Sequence, residues 1–229
     1  AIPTMYAIAN TGVREHVGET YDRMMMKRPG DMHLTQMLER NTIPYGMRTM
    51  PTVLKYLTPL IYEELLIDGR IISPFHVRNR RFYRYKVSPF MRGAVIVSFR
   101  PRLKNTKLVR GWARIEESTG RILETSFDGE YDLVRFHVTM TTGDEGVKTL
   151  MPAQCNLNTR FLFLGNDITA EYTTVYDLPK KLPDSVQIVN RRDTALLNLV
   201  RPIPANSHEQ YLYSRYYAAR DARQADTAT

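Results

Sequence analysis

FDGEYDLVRFHVTMTTGDEG, residues Phe127–Gly146, carries three acids two residues apart, Asp128, Glu130 and Asp132, with Asp144-Glu145 close behind. Read as chemistry, it is a carboxylate site; read as structure, it is a strand and a turn. Periodicity separates the two. Asp132, Val134, Phe136, Val138 and Met140 share one face of an extended chain, and Tyr131, Leu133, Arg135, His137 and Thr139 share the other. The first face is apolar and is expected to be buried. Three unpaired carboxylates on it would be costly, so Gly129 is expected to bulge or turn the backbone and re-aim Asp128. A calcium loop would need a D-x-D-x-D-G run of oxygen ligands, which this segment lacks. GDEG reads as the hairpin turn that follows.

Outward from that strand, residues 82–177 read as a succession of strands. In AVIVSFRPR, Val95, Val97 and Phe99 alternate with Ala94, Ile96 and Ser98. LVRGWARIEE puts Val109, Gly111, Ala113 and Ile115 on one side, with Arg110, Trp112 and Arg114 on the other. ESTG and GND are hairpin signals. Short connections make neighbouring strands antiparallel, giving a meander of roughly six to eight strands. The βα alternation of a parallel sheet is absent.

Helices are expected upstream. Val13, Val17, Tyr21 and Met24 fall at helical spacing in Gly12–Lys27. A second helix starts with Asp31 as N-cap and places Leu34, Met37 and Leu38 on one face. MPTVLKYLTPLIYEELLIDG reads as two short helical pieces divided at Thr58-Pro59. Downstream, LPKKLPDS is a linker, and Ser207 with Gln210 forms a capping box for a C-terminal helix reaching about Arg223. The expected organisation is one α+β domain over residues 1–180, helical at about 10–68 and sheet at about 82–177, then a linker and helical extension over 181–229.

The bulk composition, 43% hydrophobic and 24% charged over 229 residues, excludes a disordered chain. The single cysteine, Cys155, excludes an internal disulfide and a cysteine metal cluster, and its setting MPAQCNLNTRF reads as a strand with a buried, inert thiol. No run approaches the ~20 apolar residues of a membrane helix. A chain that begins with Ala1 reads as a processed or excised piece. The net charge is +8, and Arg78 to Arg114 holds twelve Lys/Arg and no Asp or Glu. Such a block attracts anions: lipid headgroups, nucleic acid or an acidic protein.

Catalytic constellations are scarce. The histidines (16, 33, 76, 137, 208) are scattered, with no pair at metal-ligand spacing. The nucleophile elbow and the glycine-rich phosphate loops are missing. RNRRFYRYK interleaves cations and aromatics as single-strand binders do, yet in a strand it is equally a basic outer face over an aromatic inner one. No nucleic acid, metal or cofactor is expected.

Several segments together resemble a known family. LTQMLERNTIPYGMRTMPTVLKYLTPL followed by RRFYRYKV, then VSFRPRLKNTKLVRGWARIEESTGRI, FDGEYDLVRFHV, FLFLGNDITAEYTTVYD and RPIPANSHEQYLYSRYYAARD, look in order like the middle region of an uncharacterised family of Gram-negative outer-membrane proteins. In those proteins a carboxypeptidase-regulatory-like domain precedes the region and a membrane β-barrel follows it. The resemblance implies a LolA/LolB-like half-barrel: a curled antiparallel sheet with helices on its concave face, which in that superfamily can receive acyl chains. It carries no catalytic residues. It implies a non-enzymatic periplasmic domain, associated with the outer membrane, whose partner is a lipid, a lipoprotein or a membrane β-barrel. The apolar face expected to serve is Val95, Val97, Phe99, Val134, Phe136, Val138, Phe161 and Phe163. The basic surface is Arg78, Arg80, Arg81, Arg84, Lys86, Arg100, Arg102, Lys104, Lys107 and Arg110. The alternatives are a purely structural module and a glycan- or lipid-acting hydrolase using Asp128, Glu130 or Asp132. Oligomeric state is not legible.

Overall fold

A computed structural model describes residues 8–9, 11–28, 31–43, 53, 56–57, 61–91, 93–144, 149, 151–176, 178–183, 186, 188 and 190–227. Its strands are β1 (Gly18–Arg28), β2 (Asp31–Asn41), β3 (Leu65–Leu66), β4 (Ile71–Ile72), β5 (Tyr83–Phe90), β6 (Ala94–Pro101), β7 (Arg110–Glu116), β8 (Ile122–Tyr131), β9 (Val134–Thr142), β10 (Pro152–Phe163) and β11 (Asn166–Val175). A 3-10 helix spans Val77–Phe82, and two α-helices follow the sheet, α1 (Thr194–Val200) and α2 (Ser207–Thr227). The chain forms two compact units, residues 1–5 with 50–177 and residues 6–49 with 178–229. The N-terminal part of the expected 1–180 domain is thus grouped with the expected extension.

The first unit is an antiparallel meander of seven strands, β5 to β11, each paired with its neighbours in sequence. Its apolar face is covered by the segment before the sheet. Val53, Leu57, Ile61, Leu66, Ile67 and Ile71 pack with Phe99, Phe127, Phe136, Val138, Met140 and Leu157 in one core. Val53, Tyr56 and Leu57 are helical, while the expected break at Thr58-Pro59 lies outside the described residues. Tyr83 ties the cover to the sheet, its hydroxyl donating to the Ile72 carbonyl at 2.6 Å.

Two expectations about the Phe127–Gly146 stretch are corrected. β8 runs straight through Gly129, which pairs with Phe136 in the ladder, so there is no bulge there. A Cβ at Gly129 would lie 2.3 Å from Cζ of Phe136: the glycine leaves space for that ring. Asp132 is not on the buried face. It is exposed and forms the hairpin turn with Leu133, both left-handed at φ 52° and 65°, the mark of a two-residue type I′ turn. The carboxylate therefore never meets the desolvation cost that a buried position would impose. Glu145-Gly146 of GDEG lies outside the described residues.

The second unit corrects the upstream helices. Residues expected as two helices are instead the antiparallel hairpin β1–β2, with Tyr21 opposite Leu38 and Glu19 opposite Arg40. The helical spacing of Val13, Val17, Tyr21 and Met24 is coincidental. Cross-strand pairing satisfies the backbone of both segments at once, and such context overrides local propensity. A register shift between Tyr21 and Asp22 also breaks the strict alternation that would have revealed the strands. Among the described residues of this unit, Leu38, Leu197, Val200 and Tyr213 are the buried apolar ones. The Asp193 carboxylate caps α1, accepting from the amides of Ala195 and Leu196 at 2.9 and 3.0 Å. The capping box of α2 lies one residue earlier than expected: Asn206 accepts from the Glu209 amide at 2.9 Å, and Glu209 accepts from the Asn206 amide at 2.8 Å. Arg201 makes a two-pronged ion pair with Glu19, one prong at 2.7 Å.

Candidate functional site

Residues directly opposite in an antiparallel ladder point to the same side. The register therefore puts Val95, Val97, Phe99, Val134, Phe136, Val138, Phe161 and Phe163 on one face, together with Tyr83, Ala113, Phe127 and Leu157. Phe99, Val134, Phe136, Val138 and Phe161 are buried. Phe75 sits edge-on to Phe99 at 5.3 Å, and Tyr56 edge-on to Phe136 at 5.5 Å. Val95, Val97 and Phe163 are half-buried, and Val87, opposite Val97 in edge strand β5, is 62% exposed. The accessible apolar surface thus lies at the margins of the face, along β5–β6 and at Phe163, and its centre is core.

The outer face is polar and divides into two halves. All ten residues of the expected basic surface are exposed. Arg84 stands directly opposite Arg100, and the pairing of Phe99 with Gly111 places Arg110 beside Arg100 in the next strand. Lys86, Ser98 and Trp112 form the adjoining row. Three cations are engaged: Arg78 pairs with Glu64 at 3.2 Å, Arg81 lies 4.8 Å over the Phe82 ring, and Arg102 donates to the Tyr83 carbonyl at 2.8 Å. Arg84, Lys86, Arg100, Lys104, Lys107 and Arg110 make no ion pair among the described residues. Beyond Arg110, which faces Asp128, three arginines of this face are matched by acids: Arg114 with Glu124 at 3.2 Å, Arg135 with Glu130 at 3.5 Å, Arg160 with Asp167 at 2.7 Å. The Arg160 guanidinium hydrogen-bonds the Asp167 carboxylate and holds it below the usual carboxylate range.

The acids that opened the sequence reading are dispersed by the hairpin. Asp128 and Glu130 lie on the outer face opposite His137 and Arg135, and Asp132 is in the turn. Pairing assembles a trio that the linear sequence hides: His137 Nδ1 is 2.8 Å from Asp128 Oδ1, and its Nε2 is 3.4 Å from Ser126 Oγ. The trio brings a hydroxyl, an imidazole and a carboxylate together. Acyl transfer would also need N–H donors for an oxyanion. Ser126 lies in a central strand paired on both sides, with Trp112 and with Thr139, so the amides around it are engaged in the ladders.

Cys155 is buried on the covered face, and desolvation pushes its thiol up to about 12, leaving it un-ionised and inert at neutral pH. Among the described residues no helix is long and apolar enough to cross a membrane, which says nothing about strands.

Residues 9–178 match a family of unknown function, DUF5686, and the chain belongs to that family. No curated protein and no solved structure matches the chain.

Proposed function

We propose, for this member of a family of unknown function, a non-enzymatic domain of the cell envelope, periplasmic and associated with the outer membrane. It docks a lipid, a lipoprotein or a membrane-embedded barrel. The observation that supports this best is the division of the outer face. Arg84, Arg100 and Arg110 stand side by side without an ion pair, the acid opposite Arg110, Asp128, being paired with His137 instead, while Arg114, Arg135 and Arg160 are each matched by an acid. Adjacent like charges destabilise a sheet and attract an anionic partner. In the half-barrel reading the sheet curls around its covering segment, as in LolA/LolB-like carriers. An acyl chain would then enter at the half-buried Val95 and Val97 rather than at the closed centre around Phe136. The non-enzymatic reading rests on the engaged amides around Ser126.

Neutralising the patch with Arg84→Gln, Arg100→Gln and Lys104→Gln is the test. The unmodified chain is expected to fractionate with outer membranes in a salt-sensitive way, and to carry an acyl lipid in native mass spectrometry if it is a carrier. The triple variant should lose most of the membrane fraction. Equal fractionation of both chains, with no co-purifying lipid, ends the docking reading. The Ser126–His137–Asp128 trio favours one second reading, a hydrolase, and covalent labelling of Ser126 by a fluorophosphonate probe would replace docking with hydrolysis.

A further inference from the structure

The inference rests on the docking reading and names its partner and mode of contact. The β6–β7 loop, the β8–β9 turn and the β10–β11 turn all lie at one end of the sheet, the end where β5 begins. Each connection presents a leucine to solvent: Leu103 is 71% exposed, Leu133 43% and Leu164 77%. Two of these occupy positions that disfavour leucine. Leu133 and Leu164 are left-handed, at φ 65° and 48°, in tight turns where Asn, Asp or Gly is the usual choice. Turn geometry would be better served by asparagine, so it does not account for the leucines.

Neighbouring connections are two strand spacings apart, about 10 Å, so the three leucines mark out roughly 20 Å of edge as separate protrusions. Phe161 is level with Val134, which sets the β10–β11 turn two residues beyond the β8–β9 turn. A tilt of the sheet brings the three tips towards one plane. Lys104 and Lys107 follow Leu103 within its loop, and Arg84, Arg100 and Arg110 stand on the outer face at the same end, all without ion pairs among the described residues. The acids of that end are held: Asp128 by His137, Glu130 by Arg135 and Asp167 by Arg160, while Asp132 is engaged as well.

We infer that this end of the sheet inserts its three leucine tips into the interface of an anionic lipid surface while the free cations gather the headgroup phosphates. Amphipathic elements that lie in the interface combine apolar insertion and cationic attraction in this way. A bilayer accepts separated protrusions without matching pockets, whereas a protein partner would need a packed, complementary core of contact.

The full chain, sedimented with phosphatidylcholine vesicles containing phosphatidylglycerol and with pure phosphatidylcholine vesicles, is expected to bind the first and largely ignore the second. Leu103→Asn, Leu133→Asn and Leu164→Asn should each lower the partition by on the order of 10-fold. The two turn variants should keep or raise the thermal midpoint, because asparagine tolerates the left-handed backbone better. An environment-sensitive dye on Leu164→Cys, with native Cys155 buried, should shift to the blue only on the anionic vesicles. Leucine variants that bind as tightly as the unmodified chain overturn insertion and leave docking standing. Retention by an outer-membrane protein fraction, with both vesicles ignored, overturns the lipid partner and leaves docking for a protein.

Discussion

The two faces of the seven-stranded sheet obey different rules. On the covered face, glycine and phenylalanine are matched across strands, Gly111 with Phe127 and Gly129 with Phe136, and a single methyl group would collide. On the outer face the matched pairs are ionic and half-exposed, Asp128 with His137 and Glu130 with Arg135. Packing is short-ranged and tolerates little; exposed charge is screened and tolerates much. The covered face therefore fixes the fold, and the outer face is free to set what the molecule attracts.

The sharpest way to break this comparison is at the glycines. A Cβ at Gly111 would lie 2.0 Å from the Ser126 carbonyl oxygen and 2.7 Å from Phe127 Cα, backbone atoms that cannot yield without opening the ladder. Gly111→Ala is expected to cost more than about 3 kcal/mol. Gly129→Ala meets only the Phe136 ring, which can swing at the expense of its edge contact with Tyr56. About 2 kcal/mol is expected there, partly restored by adding Phe136→Leu. Urea melts measure both. Failure of Phe136→Leu to restore Gly129→Ala would show that the ring is not what the glycine accommodates.

Cys155 extends the contrast to pH. Its thiol is raised by burial from the ordinary 9.0 to about 12, so the unfolded chain loses that proton first. Its contribution to stability is whole below pH 9 and is lost as the pH climbs towards 12. Tyr56, also raised to about 12 by burial, adds to the same alkaline loss. Cys155→Val should flatten part of the fall in urea-melt stability across this window. Identical alkaline profiles for the two chains would mean that the thiol is not desolvated.

How much of this was legible follows from the same contrast. The covered face declared itself through strict alternation from Val134 to Met140, and through a run apolar on both sides from Ala94 to Val97 that reads as a central strand. The cations showed as an acid-free run because charge density is a property of composition. The Ser126–His137–Asp128 trio did not show, because it exists only once the turn position fixes the β8–β9 register. That turn is Asp132-Leu133, without the Asn-Gly signal. Nor did the β1–β2 hairpin, where an irregular register and a chance helical spacing favoured the wrong period. The α2 cap was missed by one residue, since Asn206-x-x-Glu209 and Ser207-x-x-Gln210 overlap and only the backbone path chooses between them.

The smallest expected effect probes the outer face. Asp128 and His137 are close, but their side chains remain 50% and 40% exposed. Water competes for both partners, and salt screens what is left. Asp128→Asn and His137→Gln should each change stability by less than about 1 kcal/mol, with a coupling in the double variant of a few tenths that fades with added salt. Denaturant melts at low and high ionic strength measure this. A coupling above about 2 kcal/mol that survives salt would mean that the pair is held as rigidly as the core across the sheet. The division between a face that tolerates nothing and a face that tolerates much would then fail at the point where the trio sits, and the hydrolytic reading of Ser126 would gain what docking lost.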